Sequence, residues 1–180
     1  MPAMTPAPGD FAVVNTVNEV ADVVQLLQAM SGGGFSEWNH VCVCTRIGPR
    51  GRVWIAEAEP GGAVDVPFHY DDVPHRWSTG IIPTSQAVAD AAARYCQPGP
   101  WGPHGVPYSF LDYAAIAAHY WHLPVPGLRA FIQSENHMLC SQLADRCFQD
   151  AGLYLFSGLW PGYVRPSDFG RLLTAAASPA

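Results

Sequence analysis

The segment His137-Met138-Leu139-Cys140-Ser141-Gln142-Leu143-Ala144-Asp145-Arg146-Cys147-Phe148 reads as the opening of an amphipathic helix. Downstream of Leu139, apolar residues fall at 143, 144, 147, 148 and 151, and Gly152 follows as a stop. That spacing belongs to a helix with one buried face. Cys140 then sits in the first turn, on the buried-facing side. The N-terminus of a helix carries partial positive charge and favours thiolate over thiol. Far upstream, Trp38-Asn39-His40-Val41-Cys42-Val43-Cys44 puts a histidine at the mouth of a strand. A cysteine at a helix start and a histidine on a strand supply a thiol nucleophile and its base.

The histidine strand extends into a hairpin. Residues 41–46 and 52–57 alternate as strands around Ile47-Gly48-Pro49-Arg50-Gly51, a turn-forming stretch. With the turn centred near Pro49 and Arg50, His40 faces Glu59, and Glu57 lies one diagonal step away on the same face. Strand arithmetic thus sets a carboxylate beside His40, provided no single-residue bulge intervenes.

The remaining chain is read around this pair. Residues 1–8 form a Pro/Ala arm, and residues 11–15 a short buried strand after Gly9-Asp10. A helix is expected over 18–30, capped by Asn15 or Thr16, with Val20, Val23, Val24, Leu27 and Met30 along one side. A third strand is expected at 63–66, irregular chain at 68–78, and another strand at Ile81 and Ile82. Helices follow at 85–96, 108–121, 128–133 and 140–151, and a last one runs over 166–173. The Pro/Gly-rich loop 97–107 holds Trp101 and His104, and long loops of this kind are often functional. No internal repeat or interior linker divides residues 9–175, which read as one domain.

Composition narrows the classes. The chain has 180 residues, 49% hydrophobic and 13% charged, which is globular rather than disordered. The net charge is −6, and all nine basic residues are arginine, so no positive footprint for nucleic acid is present. No apolar run approaches the roughly 20 residues of a membrane span. Residues 1–10 lack the basic and apolar regions of a signal peptide. The expected setting is cytoplasmic with reduced thiols, with release in a phage particle or by host lysis as the other route.

The order is a Gly-Asp strand, a helix, a His-led strand, a Glu-Ala strand, a Tyr-led helix and a late Cys-Ser helix. In this order the chain resembles the circularly permuted, YiiX-like branch of the NlpC-like papain-fold cysteine hydrolases. Gly9-Asp10, Trp38-Asn39-His40-Val41, Ile55-Ala56-Glu57-Ala58, Gly105-Val106-Pro107-Tyr108 and Leu139-Cys140-Ser141-Gln142-Leu143 carry the resemblance, with Pro166-Ser167-Asp168-Phe169 near the end. It covers residues 9 to 173 and rests on order and spacing rather than on one motif. It implies an α+β, papain-like fold in which a small antiparallel sheet packs against helices. It also implies Cys140 as nucleophile, His40 as base, Glu57 as the third polar residue and Tyr108 as an aromatic near the site. The sequence departs from the branch in carrying Cys42 and Cys44 beside the histidine, and Ser-Gln where Ser-Glu is common.

The chemistry expected is acyl transfer through a thioester, with no cofactor and no metal. Glu57 is the expected orienter of His40, with Glu59 in reserve, and the Cys140 amide is a donor for the developing oxyanion. The substrate is a peptide or another acyl compound. An amide bond, for example in a cell-wall stem peptide, leads; a lipid ester cleaved along a groove of Trp101, Tyr120, Trp121 and Trp160 is the alternative. Two other readings compete. His40, Cys42 and Cys44 share one strand face and have ligand types that suit zinc. Cys140 can also be an inert core thiol in a binding module.

Overall fold

The computed structural model describes residues 5–17, 19–30, 36–100, 105–109, 111–112, 115, 118–119, 121–132, 134, 136–159 and 163–177. Apolar runs at the expected places form β1 (Phe11–Val14), β2 (His40–Ile47), β3 (Val53–Glu59) and β4 (Gly62–Pro67), with β5 (His75–Trp77) beyond them. They make a five-stranded antiparallel sheet in the order β4-β3-β2-β1-β5. The helices are α1 (Glu19–Gln28), α2 (Gln86–Tyr95), α3 (Leu128–Ile132), α4 (Cys140–Asp150) and α5 (Pro166–Ala177). The protein is therefore α+β.

Strand alternation splits the sheet into two apolar faces. Phe11, Val13, Val41, Val43, Ala56 and Ala58 pack against Val88, Ala92, Leu143, Cys147, Phe148 and Phe169 of the helices. Ala12, Val14, Cys42 and Ile55 face the other way, where Val66, Phe68, Tyr70 and Trp77 cover them. Helix α4 is held to α5's approach by Ser141, whose hydroxyl donates to the Val164 carbonyl at 2.7 Å. All five cysteines are free thiols.

Four expectations need correction. The α1 stripe is rotated: Ala21, Val24 and Gln28 are buried, while Val23 and Met30 are 46% and 38% exposed. The cause is Gln28, whose amide donates to the Trp38 carbonyl and accepts from the Ser167 amide. Two backbone groups, one of them buried, thereby gain a partner, and a polar residue takes the inward position. The segment expected to be irregular contains β5, a three-residue edge strand too short to show a period. Ile81 and Ile82 lie in a turn instead of a strand, both amides donating to the Ser78 carbonyl. The last helix runs four residues beyond the expected 173, to Ala177.

Of the helix expected over 108–121, the described positions 111–112, 115 and 118–119 are helical, whereas Tyr108 forms a bridge to Met138, Ser109 is irregular and Trp121 lies in a turn. Trp101, His104, Tyr120 and Trp160 lie outside the described residues, as does the first half of the 1–8 arm. At the arm's end the Ala7 amide donates to Asp10 at 2.8 Å. No helix among the described residues is long and apolar enough to cross a membrane.

Gly9 shows why the Gly-Asp pair precedes β1. Its φ is +93°, and a Cβ there would run into Thr84 Oγ1 and the Ser85 carbonyl. The Gly9 amide also donates to the Cys44 carbonyl at 2.8 Å, so the backbone cannot back away. Gly9→Ala is expected to lose about 2 kcal/mol from strain and overpacking. Urea unfolding checks this; an unchanged midpoint would contradict it.

Candidate active site

The site is built at one end of the sheet by an irregularity in the β2–β3 hairpin. Beside the turn, Ile47 faces Val53 and Arg46 faces Trp54. Continued unbroken, that register would turn Glu57 to the face opposite His40. A bulge between Cys44 and Arg46 shifts the pairing by one, so that Cys44 faces Ile55 and Val43 faces Ala56. Glu57 then shares a face with His40. The turn is a 3-10 turn over Pro49–Gly51, with Arg50 at φ 62° and Gly51 at φ 77°. Sequence arithmetic placed the turn centre half a residue early and omitted the bulge. The two deviations cancel, and the expected juxtaposition of His40 and Glu57 is what the structure has.

His40 Nε2 lies 2.8 Å from Glu57 Oε2. The Tyr70 hydroxyl donates to the same oxygen at 2.6 Å. Glu57 is fully buried. Burial alone would raise its pKa, but the hydrogen bond and charge of His40, then Tyr70 and His69, outweigh it and hold the carboxyl below its ordinary value. Tyr70 is shifted the opposite way: burial and the Glu57 charge push its phenol up, so it remains a donor. The sequence reading did not single out Tyr70, because it comes from the aperiodic segment before β5.

Cys140 starts α4 and hydrogen-bonds to the His40 ring. With Nε2 turned to Glu57, Nδ1 is the nitrogen left for the sulfur. Burial by itself would lower the His40 pKa. The charge and hydrogen bond of Cys140, followed by those of Glu57, reverse this and push it up to about 10. Glu57 and Cys140 belong to opposite faces of the sheet, and His40, at the first position of β2, joins them at its end. Leu139 has no side-chain acceptor to offer the first-turn amides of α4. Gln142 reaches back and accepts from the Leu139 amide at 2.6 Å. The helix start thus keeps donors directed beyond its end.

A cleft of about 100 Å³ opens on this arrangement, lined by Thr16, Asn39, His40, Glu59, Tyr70 and Tyr108, with Ala21 and Val24 of α1. Cys140 itself is only 2% exposed. Asn39, before His40, is fixed by the Thr16 amide and hydroxyl, which both donate to its Oδ1 at 2.9 and 2.8 Å. Tyr108 is brought to the site by a parallel bridge to Met138, two residues ahead of Cys140. Glu59 lines the cleft, but it is Glu57 that bonds His40.

The zinc reading of His40, Cys42 and Cys44 is not what the structure presents. Both cysteines are buried, and burial first of all pushes their thiols up, Cys44 to about 12. Among the described residues, the ligand atoms of His40, Cys42 and Cys44 do not converge as a metal site requires. Cys147 is likewise a core thiol.

A second histidine–carboxylate pair, with only its carboxylate buried, was not singled out from the sequence. His137 Nδ1 lies 2.9 Å from Asp112 Oδ2, and the His137 ring stacks on Phe131 at 4.6 Å. Burial raises the Asp112 pKa to about 6 against the opposing hydrogen bond of His137. The pair anchors the chain entering α4. Its partners are 25 residues apart, with no strand register to bring them together on paper.

No family model matches the chain, and no curated protein matches its sequence.

Proposed function

We propose that the protein is a cysteine hydrolase of papain-like architecture, with Cys140 as nucleophile, His40 as base and Glu57 as orienter of the imidazole. One observation carries this reading: the His40 ring is bonded to a buried carboxylate on one side and to a helix-start thiol on the other, beside a cleft. A core cysteine needs neither partner.

In this reading the Cys140 thiolate attacks a carbonyl carbon, and the tetrahedral oxyanion receives a hydrogen bond from the Cys140 amide at the start of α4. The imidazolium of His40 gives its proton to the leaving amine as the thioester forms. Water, deprotonated by the neutral His40, then releases the acid and restores the thiol. Glu57, held by Tyr70, keeps the ring oriented and stabilises its charged form. Resemblance to the permuted NlpC-like branch favours an amide substrate such as a cell-wall peptide. A second reading, lipid ester hydrolysis or acyl transfer, gains from apolar side chains exposed on and around α1: Val17, Leu26 and Trp121. Trp121 is tied to α1's end by its Nε1 donating to the Met30 carbonyl. A peptidoglycan fragment and a phospholipid, assayed side by side, separate the two.

The catalytic pair is tested by the rate of Cys140 alkylation with iodoacetamide against pH, located by peptide mass spectrometry. An ion-paired thiolate persists near pH 5.5, where a free thiol of pKa about 8.5 is about 0.1% ionised. Lower intrinsic nucleophilicity returns part of that advantage, leaving about tenfold. Wild type is expected to react about tenfold faster than His40→Ala at pH 5.5. Equal rates that rise only near pH 8.5 would leave Cys140 an ordinary thiol and favour the binding-module reading.

A further inference from the structure

We propose that Glu57, Glu59 and His69 form a binding site for one divalent cation of the zinc class, set directly behind the His40–Glu57 pair. One carboxylate oxygen from each glutamate and one ring nitrogen of His69 lie within 4.8 Å of one another. Glu57 and Glu59 share a face of β3 by strand alternation, and His69 follows β4, the neighbouring strand.

Two further observations turn this cluster into a site. The first is the His69 ring. Its Nδ1 lies 3.1 Å from the Pro67 carbonyl, which can only accept, so Nδ1 carries the proton. Nε2 is then the ring nitrogen turned toward the cluster, and it lies 3.6 Å from Glu57 Oε1. A backbone carbonyl on the far nitrogen is how metal-binding histidines are commonly oriented. The second is Glu57 Oε1 itself. It is buried and has no hydrogen-bond partner, whereas Oε2 takes both His40 and Tyr70. A buried carboxylate oxygen without a hydrogen bond is costly. A ring nitrogen and a buried carboxylate oxygen without a hydrogen bond, facing each other across a short gap, are two ligand atoms already converged on one point.

The donor set fixes the class. One imidazole and two carboxylates suit zinc, which holds such ligands at about 2.0–2.2 Å and leaves a fourth position to water. Two negative ligands neutralise a divalent charge. His69 has a half-exposed side chain, so the small closure needed is open to it.

A cation on Oε1 draws Glu57's charge away from His40. Zinc would therefore loosen Glu57's hold on the His40 ring and slow Cys140. This consequence rests on the hydrolase reading, whereas the site itself does not. Calorimetric titration of zinc chloride into the full chain carrying Cys140→Ala removes the competing thiol. One zinc per chain is expected, with affinity about tenfold or more weaker after His69→Ala or Glu59→Gln is added. No saturable binding in Cys140→Ala, or binding untouched by His69→Ala, overturns the site. With Cys140 intact, zinc is expected to slow alkylation in wild type and not in His69→Ala. Equal slowing in both would place the ion on the thiol and overturn the inhibitory consequence.

Discussion

If Cys140 is the nucleophile of a thiol hydrolase, as proposed, hydrolysis by the Cys140→Ala protein is expected to fall by about 10⁴-fold or more, while the fold is kept. Loss of a nucleophile from a catalytic group that acts as a unit is of this size in characterised hydrolases. The group here is spread over three elements. Cys140 comes from the first turn of α4, His40 from the start of β2 and Glu57 from β3. Removing the sulfur leaves the cleft, Tyr108 and the helix-start donors in place. Substrate binding should therefore survive the change that removes turnover. Alanine also fits the space of the thiol, and Cys140 lies within the larger apolar cluster that α2, α4 and the sheet share.

The measurement is product release from a peptide amide and from an acyl ester, with intact-protein mass spectrometry on the same samples. Wild type should carry the added mass of the acyl group early in the reaction, and Cys140→Ala should never carry it. His40→Ala should be slowed by about 10²–10⁴-fold, since it removes both the proton acceptor and the donor. Turnover by Cys140→Ala at the wild-type rate would end the reading of this site as a thiol hydrolase.

Much of this arrangement was legible in the sequence because the carriers are periodic. The apolar positions 143, 144, 147, 148 and 151 repeat at helical spacing, which alone placed Cys140 in a first turn. The strands flanking Pro49 alternate, which put Glu57 within reach of His40. The bulge at Cys44–Arg46 was not legible, since a bulge depends on how two strands twist against each other and leaves no residue signature here. Tyr70 was missed because its segment has no period. Its position comes from aromatic packing of Phe68 and Trp77 on the second face of the sheet. The turned face of α1 was missed for a related reason. Gln28 is buried to satisfy the Trp38 carbonyl and the Ser167 amide, partners at ten and 139 positions' distance that no local pattern announces.

Glu57→Ala is expected to cost about 3–5 kcal/mol of folding stability, the size found when one partner of a buried ion pair is removed. The truncation leaves His40 and the Tyr70 hydroxyl without their carboxylate acceptor beneath the cleft. Glu57→Gln keeps the volume and an acceptor for Tyr70, so it should lose less stability while still losing the charge that supports the imidazolium. The two variants separate packing from charge.

The pH dependence gives the pair a signature of its own. The Glu57 carboxyl is lowered in the folded protein, so its contribution is present above the unfolded value of 4.5 and is lost as pH falls. His40 is raised from 6.5 to about 10, so its contribution is complete below pH 6.5 and is lost as pH rises through about 10. Their joint stabilisation is therefore greatest between about pH 4.5 and 6.5 and declines across 6.5 to 10. Thermal unfolding of wild type should show that alkaline decline. Glu57→Gln should flatten part of it, and Cys140→Ala should flatten it further, because the Cys140 charge is the larger of the two influences that raise His40. A wild-type curve level from pH 6.5 to 10, or a decline of equal slope in all three proteins, would mean that His40 is not held as an imidazolium between Cys140 and Glu57. The proton needed by the leaving group would then have to come from elsewhere.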